Sequence, residues 1–285
     1  MDASIIILTK NAGKHFEKLL DSINSQEFDG SFEVIGVDSG STDNTLDIAE
    51  GFGAKIFTIK PEEFHHSKTR NLGASLAKGK YLIYIVQDAL PLNKKWLSNL
   101  VAPLNEKEVG VVYGRQIAYP NAKPMDKFFY MYFYPNERRV LTRENALNEK
   151  KFYLENVFVS DVNSAIRKEV WEKIKFNENI EFAEDKDFAL RVLKAGYKVI
   201  YEPNAVVYHS HDYSLISGFK RRVKDGRAFA KIAKSGEFNT STEGLRFIKE
   251  EIMFLITNKY YLWIPYALIY HLVQGVGFEL GKQKI

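Results

Sequence analysis

Three apolar runs near the N-terminus, each cut short by polar residues, restrict the fold of this chain more than any other feature. They are Ser4 to Leu8, Phe32 to Val37 and Tyr81 to Val86, and each reads as a buried strand. Helical signals lie between them. Lys14 to Ser25 sets Phe16, Leu19, Leu20 and Ile23 at helical spacing; Thr45 to Phe52 and Arg70 to Lys78 read as helices, and Lys55 to Ile59 as a short strand. Strands alternating with helices imply a parallel sheet with right-handed crossovers. Such sheets bind ligands outside the carboxyl ends of their strands. Thr9-Lys10-Asn11, Asp38 to Ser41 and Gln87-Asp88 follow the three runs, so they are expected at one crevice.

The later chain is less regular. Val109 to Gln116 reads as a strand, whereas Met125 to Pro135 is too dense in aromatics to assign. Phe152 to Ile166 carries Asp161-Val162-Asn163-Ser164; Glu184 to Ala195 reads as a helix stopped by Gly196, and Tyr197 to Tyr208 as extended chain. Among 285 residues there is no cysteine, which excludes disulfides, thiolate metal sites and a cysteine nucleophile. An apolar share of 45% with eight prolines and eighteen glycines excludes fibrous and disordered classes. The formal charge of +4 is too small to indicate nucleic acid. Met1-Asp2-Ala3 leads straight into the first apolar run without a basic n-region, so no secretory signal is visible and a cytoplasmic location is expected.

Five groups of residues could carry chemistry. Asp38, before a Ser-Gly-Ser turn, could accept from a ribose hydroxyl or a base N–H, or simply form a strand–turn–helix corner in which Thr42 or Asp43 caps the next helix. Gln87-Asp88 offers one carboxylate to a hard divalent cation, or is a solvated strand end. His65 to Asn71 places Arg70 at a helix start suited to a diphosphate, with His65 and His66 equally readable as loop residues. Glu184-Asp185 opens a helix, where acidic residues favour the dipole, and could equally supply a general base. His209 and His211 point the same way on extended chain, as metal ligands or hydrogen-bonded loop histidines.

Their order along the chain is more specific than any one of them. The series Ile6 to Asn11, Val37 to Asp43, Thr69 to Ala74, Gln87 to Ala89, Glu184-Asp185 and His209 to His211 resembles glycosyltransferase family 2 over the first three-quarters of the chain. Phe64 to Asn71 and Gln87-Asp88-Ala89 are most similar to its rhamnosyltransferase branch. The resemblance implies an α/β GT-A fold, a Rossmann-like mixed sheet flanked by helices, and inverting transfer from a nucleotide-diphosphate sugar. It also implies the site residues: Thr9, Asn11 and Asp38 on the base and ribose, Arg70 on the diphosphate side, Ser39 and Asn71 as further nucleotide-sugar contacts, and Gln87-Asp88 at the metal motif. That motif departs from the family's Asp-x-Asp pattern, since Val86 and Gln87 precede Asp88. A Mg²⁺ or Mn²⁺ ion is implied on Asp88 with His209 or His211, Asp185 as catalytic base, and Glu184 as its neighbour orienting the acceptor. The expected donor is dTDP-rhamnose, or a UDP-hexose, and the acceptor a surface glycan or lipid-linked saccharide. A sugar nucleotidyltransferase is the alternative from another class, and it commonly carries a glycine-rich loop that Thr9 to Gly13 lacks.

The last quarter differs in character, so a catalytic domain is expected over 1–215 and a helical region over 216–285. Phe219 to Lys234 holds seven bases against one acid, a net +6, leaving −2 on the rest of the chain. Tyr260 to Phe278 has no charged residue but is interrupted by Pro265, His271 and Gln274. The basic stretch suits an anionic membrane surface, the phosphates of a lipid-linked acceptor, or a solvated surface helix; the apolar one suits peripheral contact with the inner face of the cell membrane, or a homodimer.

Overall fold

The computed structural model describes residues 1–149, 151–152, 159–180, 183–232 and 241–283. The chain divides into two units, Met1–Ile117 with Tyr134–His209, and Ala118–Phe133 with Ser210–Ile285.

The first unit is built on a nine-stranded sheet. Strands β1 (Ala3–Thr9), β2 (Phe32–Asp38), β3 (Lys55–Thr58) and β4 (Tyr81–Ile85) run parallel in the order β3-β2-β1-β4. Helices α1 (Gly13–Asn24), α2 (Thr45–Gly51) and α3 (His66–Leu76) connect them. β1 and β4 are apolar on both faces because both faces are covered. Ile5 and Ile7 share a core with Phe16, Leu19, Leu20 and Ile23 of α1, while Gly73 of α3 rests on Ile6. Each such buried side chain contributes about 1.5–3 kcal/mol, against about 1 kcal/mol for a helix cap. Burial therefore fastens α1, where Ala12 offers no cap of its own and the Gly13 N–H donates instead to Asp43 Oδ2 at 3.1 Å.

Beyond β4 the parallel pattern ends. The next elements are β5 (Leu90–Pro91), α4 (Trp96–Val101), β6 (Val109–Ile117), α5 (Pro124–Phe133, in the second unit), β7 (Arg139–Leu141) and β8 (Asn163–Arg167). Then come α6 (Lys168–Ile174), α7 (Glu184–Lys194) and β9 (Lys198–Tyr208). The sheet order is β3-β2-β1-β4-β8-β6-β9-β5, with β7 on β9. β8 is antiparallel to both neighbours, so the sheet is mixed, where strand–helix alternation alone implies a parallel one. Of the stretch Phe152 to Ile166, residues 153–158 lie outside the described residues.

A bulge in β9 sets the far side of the sheet. Gly114 of β6 faces Glu202, whereas Arg115 faces Val206, leaving three β9 residues unmatched. Asn163 holds this bulge from inside: it is fully buried, donates from Nδ2 to Ala205 O at 2.8 Å, and accepts from Trp96 Nε1 at 2.8 Å. Position 114 must be glycine, because a Cβ would lie 2.3 Å from both Ala205 O and Asn163 Nδ2.

The second unit is helical: α5, α8 (Leu215–Ile232), α9 (Ser241–Thr257) and α10 (Ile264–Lys282). The unassigned stretch Met125 to Pro135 is α5, whose rings meet others of the unit: Phe128 lies 5.2 Å from Phe247 and 5.3 Å from Phe254. Domain boundaries drawn at residue 215 put 118–133 in the first unit; its packing puts it here. α8 and α10 touch backbone to backbone, since a Cβ on Gly281 would lie 2.3 Å from Val223 O. Pro265 sits in the first turn of α10, where a missing N–H costs nothing, so it opens the helix instead of breaking it. Lys220, Arg221, Lys224 and Arg227 are exposed on α8; Ala233 and Lys234 of the basic stretch lie outside the described residues. Among the described residues no helix is long and apolar enough to cross a membrane.

Candidate active site

Parallel pairing sets Thr9 opposite Asp38, and the polar ends of β1 and β2 form a closed hydrogen-bonded rim with the loop after β4. Asp38 is fully buried, and its carboxylate accepts from Thr9 Oγ1 (3.0 Å), Ser41 Oγ (2.5 Å), Gly40 N (2.9 Å) and Ser41 N (2.8 Å). Three of these bonds come from its own turn and the fourth from β1, and together they satisfy the carboxylate. The Ser39 N–H donates to Thr9 O at 3.0 Å. Asn11 has a φ of 48°, a left-handed conformation that asparagine tolerates, and its Oδ1 accepts from Thr42 N at 2.8 Å. Gln87 clasps the Lys10 residue from both sides, accepting from its N–H at 2.8 Å and donating to its carbonyl at 3.2 Å. Thr9, Asn11, Asp38, Ser39 and Gln87 are thus brought together as a shaped rim.

A carboxylate cluster surrounds Arg70. α3 begins at His66, so Arg70 lies in its second turn instead of at its N-terminus, and it is buried. Its Nη1 is bonded to Glu184, and its Nε lies 3.2 Å from Asp161 Oδ2. Asp185 follows Glu184 and accepts from the Asp161 N–H at 3.4 Å and from the Lys186 N–H at 2.8 Å. Glu184, Asp185 and Asp187 fill the first turn of α7, where they complement the helix dipole. The residue before them, Ala183, has a φ of 63°, a strained conformation for alanine that is held by its surroundings. Burial pushes the Asp161 carboxyl up to about 7, with Arg70 offsetting part of the shift, and raises Glu184 as well.

Asn71 is not part of either group. It accepts from Trp171 Nε1 and Phe176 N and donates to Phe176 O and Glu178 Oε1, all at 3.0 Å. With Ser67, which donates to Ile180 O at 2.8 Å, it fastens α3 to the segment leading into α7. The expected diphosphate arginine and its neighbour therefore both serve the carboxylate-bearing segment in this structure.

The third group is Asp88 with His209, whose Nε2 lies 3.9 Å from Asp88 Oδ1. His209 Nδ1 sits 2.9 Å from Gln116 Oε1, and Gln116 donates from Nε2 to Tyr134 Oη at 2.8 Å. The amide orientation makes Oε1 an acceptor, so Nδ1 carries the proton and Nε2 is the nitrogen turned toward Asp88. An imidazole held this way beside a carboxylate is a donor set that fits a divalent cation. His211 follows two residues on, at the start of the second unit.

Sequence reasoning does not single out Asp161 or Gln116. Because β8 is antiparallel to β4, the residues before β8 return to the carboxyl end of β4, where Val86 N donates to Val162 O at 3.3 Å. That return brings Asp161 to the crevice.

Residues 4–175 match the family described as Glycosyl transferase family 2. The chain is 33% identical to the O-antigen chain rhamnosyltransferase RfbN of Salmonella typhimurium, over 99% of this chain and 90% of that protein. It is 33% identical to the O-antigen chain rhamnosyltransferase WbaN of Salmonella anatum, over 98% and 89%. Among solved structures it is similar to the mannosyltransferase PcManGT of Pyrobaculum calidifontis in complex with GDP-Man and Mn²⁺, with a TM-score of 0.63 at 18% identity, covering 98% of this chain and 87% of that one. Staphylococcus aureus TarS 1–349 in complex with UDP gives a TM-score of 0.58 at 18% identity, covering 99% and 90%. The fold is GT-A, and the chain belongs to glycosyltransferase family 2.

Proposed function

We propose that this glycosyltransferase moves L-rhamnose from dTDP-rhamnose to a hydroxyl of a surface glycan or its lipid-linked precursor, with inversion. The full-length identity to two rhamnosyltransferases supports the sugar. The observation that carries the mechanism is the Arg70 clamp. It fixes Glu184, so the next side chain, Asp185, is held at the start of α7 with its own carboxylate on backbone N–H groups.

In this reading Asp185 takes the acceptor's proton as the acceptor oxygen attacks the anomeric carbon. The bond from that carbon to the diphosphate breaks, and its electron pair leaves with the nucleoside diphosphate. Glu184 holds its neighbour in line through Arg70. The rim of Thr9, Asn11, Asp38 and Ser39 shapes the nucleoside end of the crevice, and Gln87 joins it to the loop carrying Asp88. Asp88 and His209 would hold a divalent cation, Mg²⁺ or Mn²⁺, and the cation would offset charge on the departing diphosphate. Asp185→Asn is expected to abolish transfer while dTDP-rhamnose still raises the melting temperature. Retained turnover would reject the base assignment, and a UDP-hexose that alone stabilises the protein would replace the donor.

The second unit is proposed to rest on the inner face of the membrane. Leu268, Ile269, Leu272 and Val276 of α10 are all at least half exposed, and α8 adds its basic row. Apolar side chains with basic residues in one unit suit an anionic lipid surface.

A further inference from the structure

Asp161 has no task in the transfer as written above, yet it is among the most buried ionisable groups of the first unit. We propose that Asp161 holds a proton in the resting enzyme and thereby leaves Asp185 as the ionised base. The inference rests on the reading of Asp185 given above and deepens it.

Among the described residues, the groups facing Asp161 come from four elements. Arg70 approaches from α3, Tyr84 from β4, Glu184 and Asp185 from α7, and Ser164 from β8. Lys186 stands 3.8 Å from Asp185. Among the described residues two cations, Arg70 and Lys186, thus meet three carboxylates, and one proton balances their charge. A surplus anion would be costly here, because Arg70, Asp161 and Glu184 are each less than a tenth exposed.

Geometry favours Asp161 as the holder. Glu184 is bonded directly to Arg70 Nη1, a charge-assisted pairing that offsets part of the rise burial imposes on it. Asp185 is served by two backbone N–H groups, from Asp161 at 3.4 Å and Lys186 at 2.8 Å. Asp161 has one oxygen on the Ser164 hydroxyl at 2.7 Å, while Oδ2 is buried without a hydrogen bond, although Arg70 Nε is 3.2 Å away. An orphaned oxygen on an ionised carboxylate is penalised; the same oxygen on a neutral carboxyl is much less so. The upward shift of Asp161 to about 7 agrees with this distribution. With Asp161 neutral, Arg70 and Glu184 cancel, and the one remaining anion is Asp185 beside Lys186.

Melting temperatures of the full chain and its Asp161→Asn variant, measured from pH 5 to pH 8, test this without relying on turnover. A carboxyl raised from 3.8 to about 7 on folding binds its proton more tightly in the folded state. Between those values its contribution to stability therefore falls as pH rises. The amide, neutral at every pH, is spared that loss. The difference in melting temperature should move in favour of Asp161→Asn by about 3 °C or more between pH 5 and pH 8. A difference that stays constant, or moves toward the wild type, would overturn the proposal, since it would mean that Asp161 is ionised against Arg70. A variant that fails to fold at pH 5 would overturn it too, because the amide is nearly isosteric with the protonated acid. Turnover by Asp185→Asn would reject the base assignment alone and leave this comparison as it stands.

Discussion

Gln116 shows how much of the candidate site depends on residues that would touch no substrate. Its side chain accepts from His209 and donates to Tyr134, a relay that fixes which imidazole nitrogen turns to Asp88. If Asp88 and His209 hold the cation, loosening that relay should weaken it without removing a ligand. Gln116→Leu is expected to raise the Mn²⁺ concentration for half-maximal activity by about 10–100-fold, with little change at saturating metal. An unchanged metal titration would detach His209 from the cation. At this scale Asp38, Asp88 and Asp185 are legible in the sequence because each stands at the edge of a run or helix. Gln116 and Asp161 are not, since one polar residue near the end of a strand, or just before one, has no local periodicity to betray it. Their partners come from 93 and 91 positions away, His209 for Gln116 and Arg70 for Asp161.

At the level of elements, the same contrast separates local from long-range information. β1, β2, β4 and α1 are visible in the sequence because burial on known faces imposes their patterns. α5 is not, because aromatic residues on every side erase the periodicity that marks an amphipathic helix. The direction of β8 is equally hidden: an apolar strand is the same run of residues whether its neighbours are parallel or not, and only pairing with β4 and β6 decides it. Asn163 is where that pairing is tied to the β9 bulge. Asn163→Leu would strand the Trp96 N–H and the Ala205 carbonyl in the core, at about 1–3 kcal/mol per group. Urea unfolding should register a loss of about 3 kcal/mol. A loss below about 0.5 kcal/mol would mean that water or another side chain satisfies the bulge.

For the whole molecule, the charge total is less informative than its placement. A basic stretch and a slightly acidic remainder sum to +4, and the exposed bases lie on α8 of the second unit. Membrane contact by that unit predicts that the full chain floats with vesicles containing anionic lipid and stays down with neutral ones. Leu272→Glu with Val276→Glu, both on the exposed side of α10, should abolish flotation. If the wild type does not float but its solution mass halves in the double variant, the face joins two copies instead. Family membership removes the nucleotidyltransferase alternative, and the remaining question is the donor. The most direct measurement is therefore release of nucleoside diphosphate by the full chain, with Mg²⁺ or Mn²⁺, across a panel of nucleotide sugars. Turnover of dTDP-rhamnose well above every UDP-hexose, lost in Asp185→Asn, is the expected result. No turnover and no thermal stabilisation with any dTDP- or UDP-sugar would contradict it.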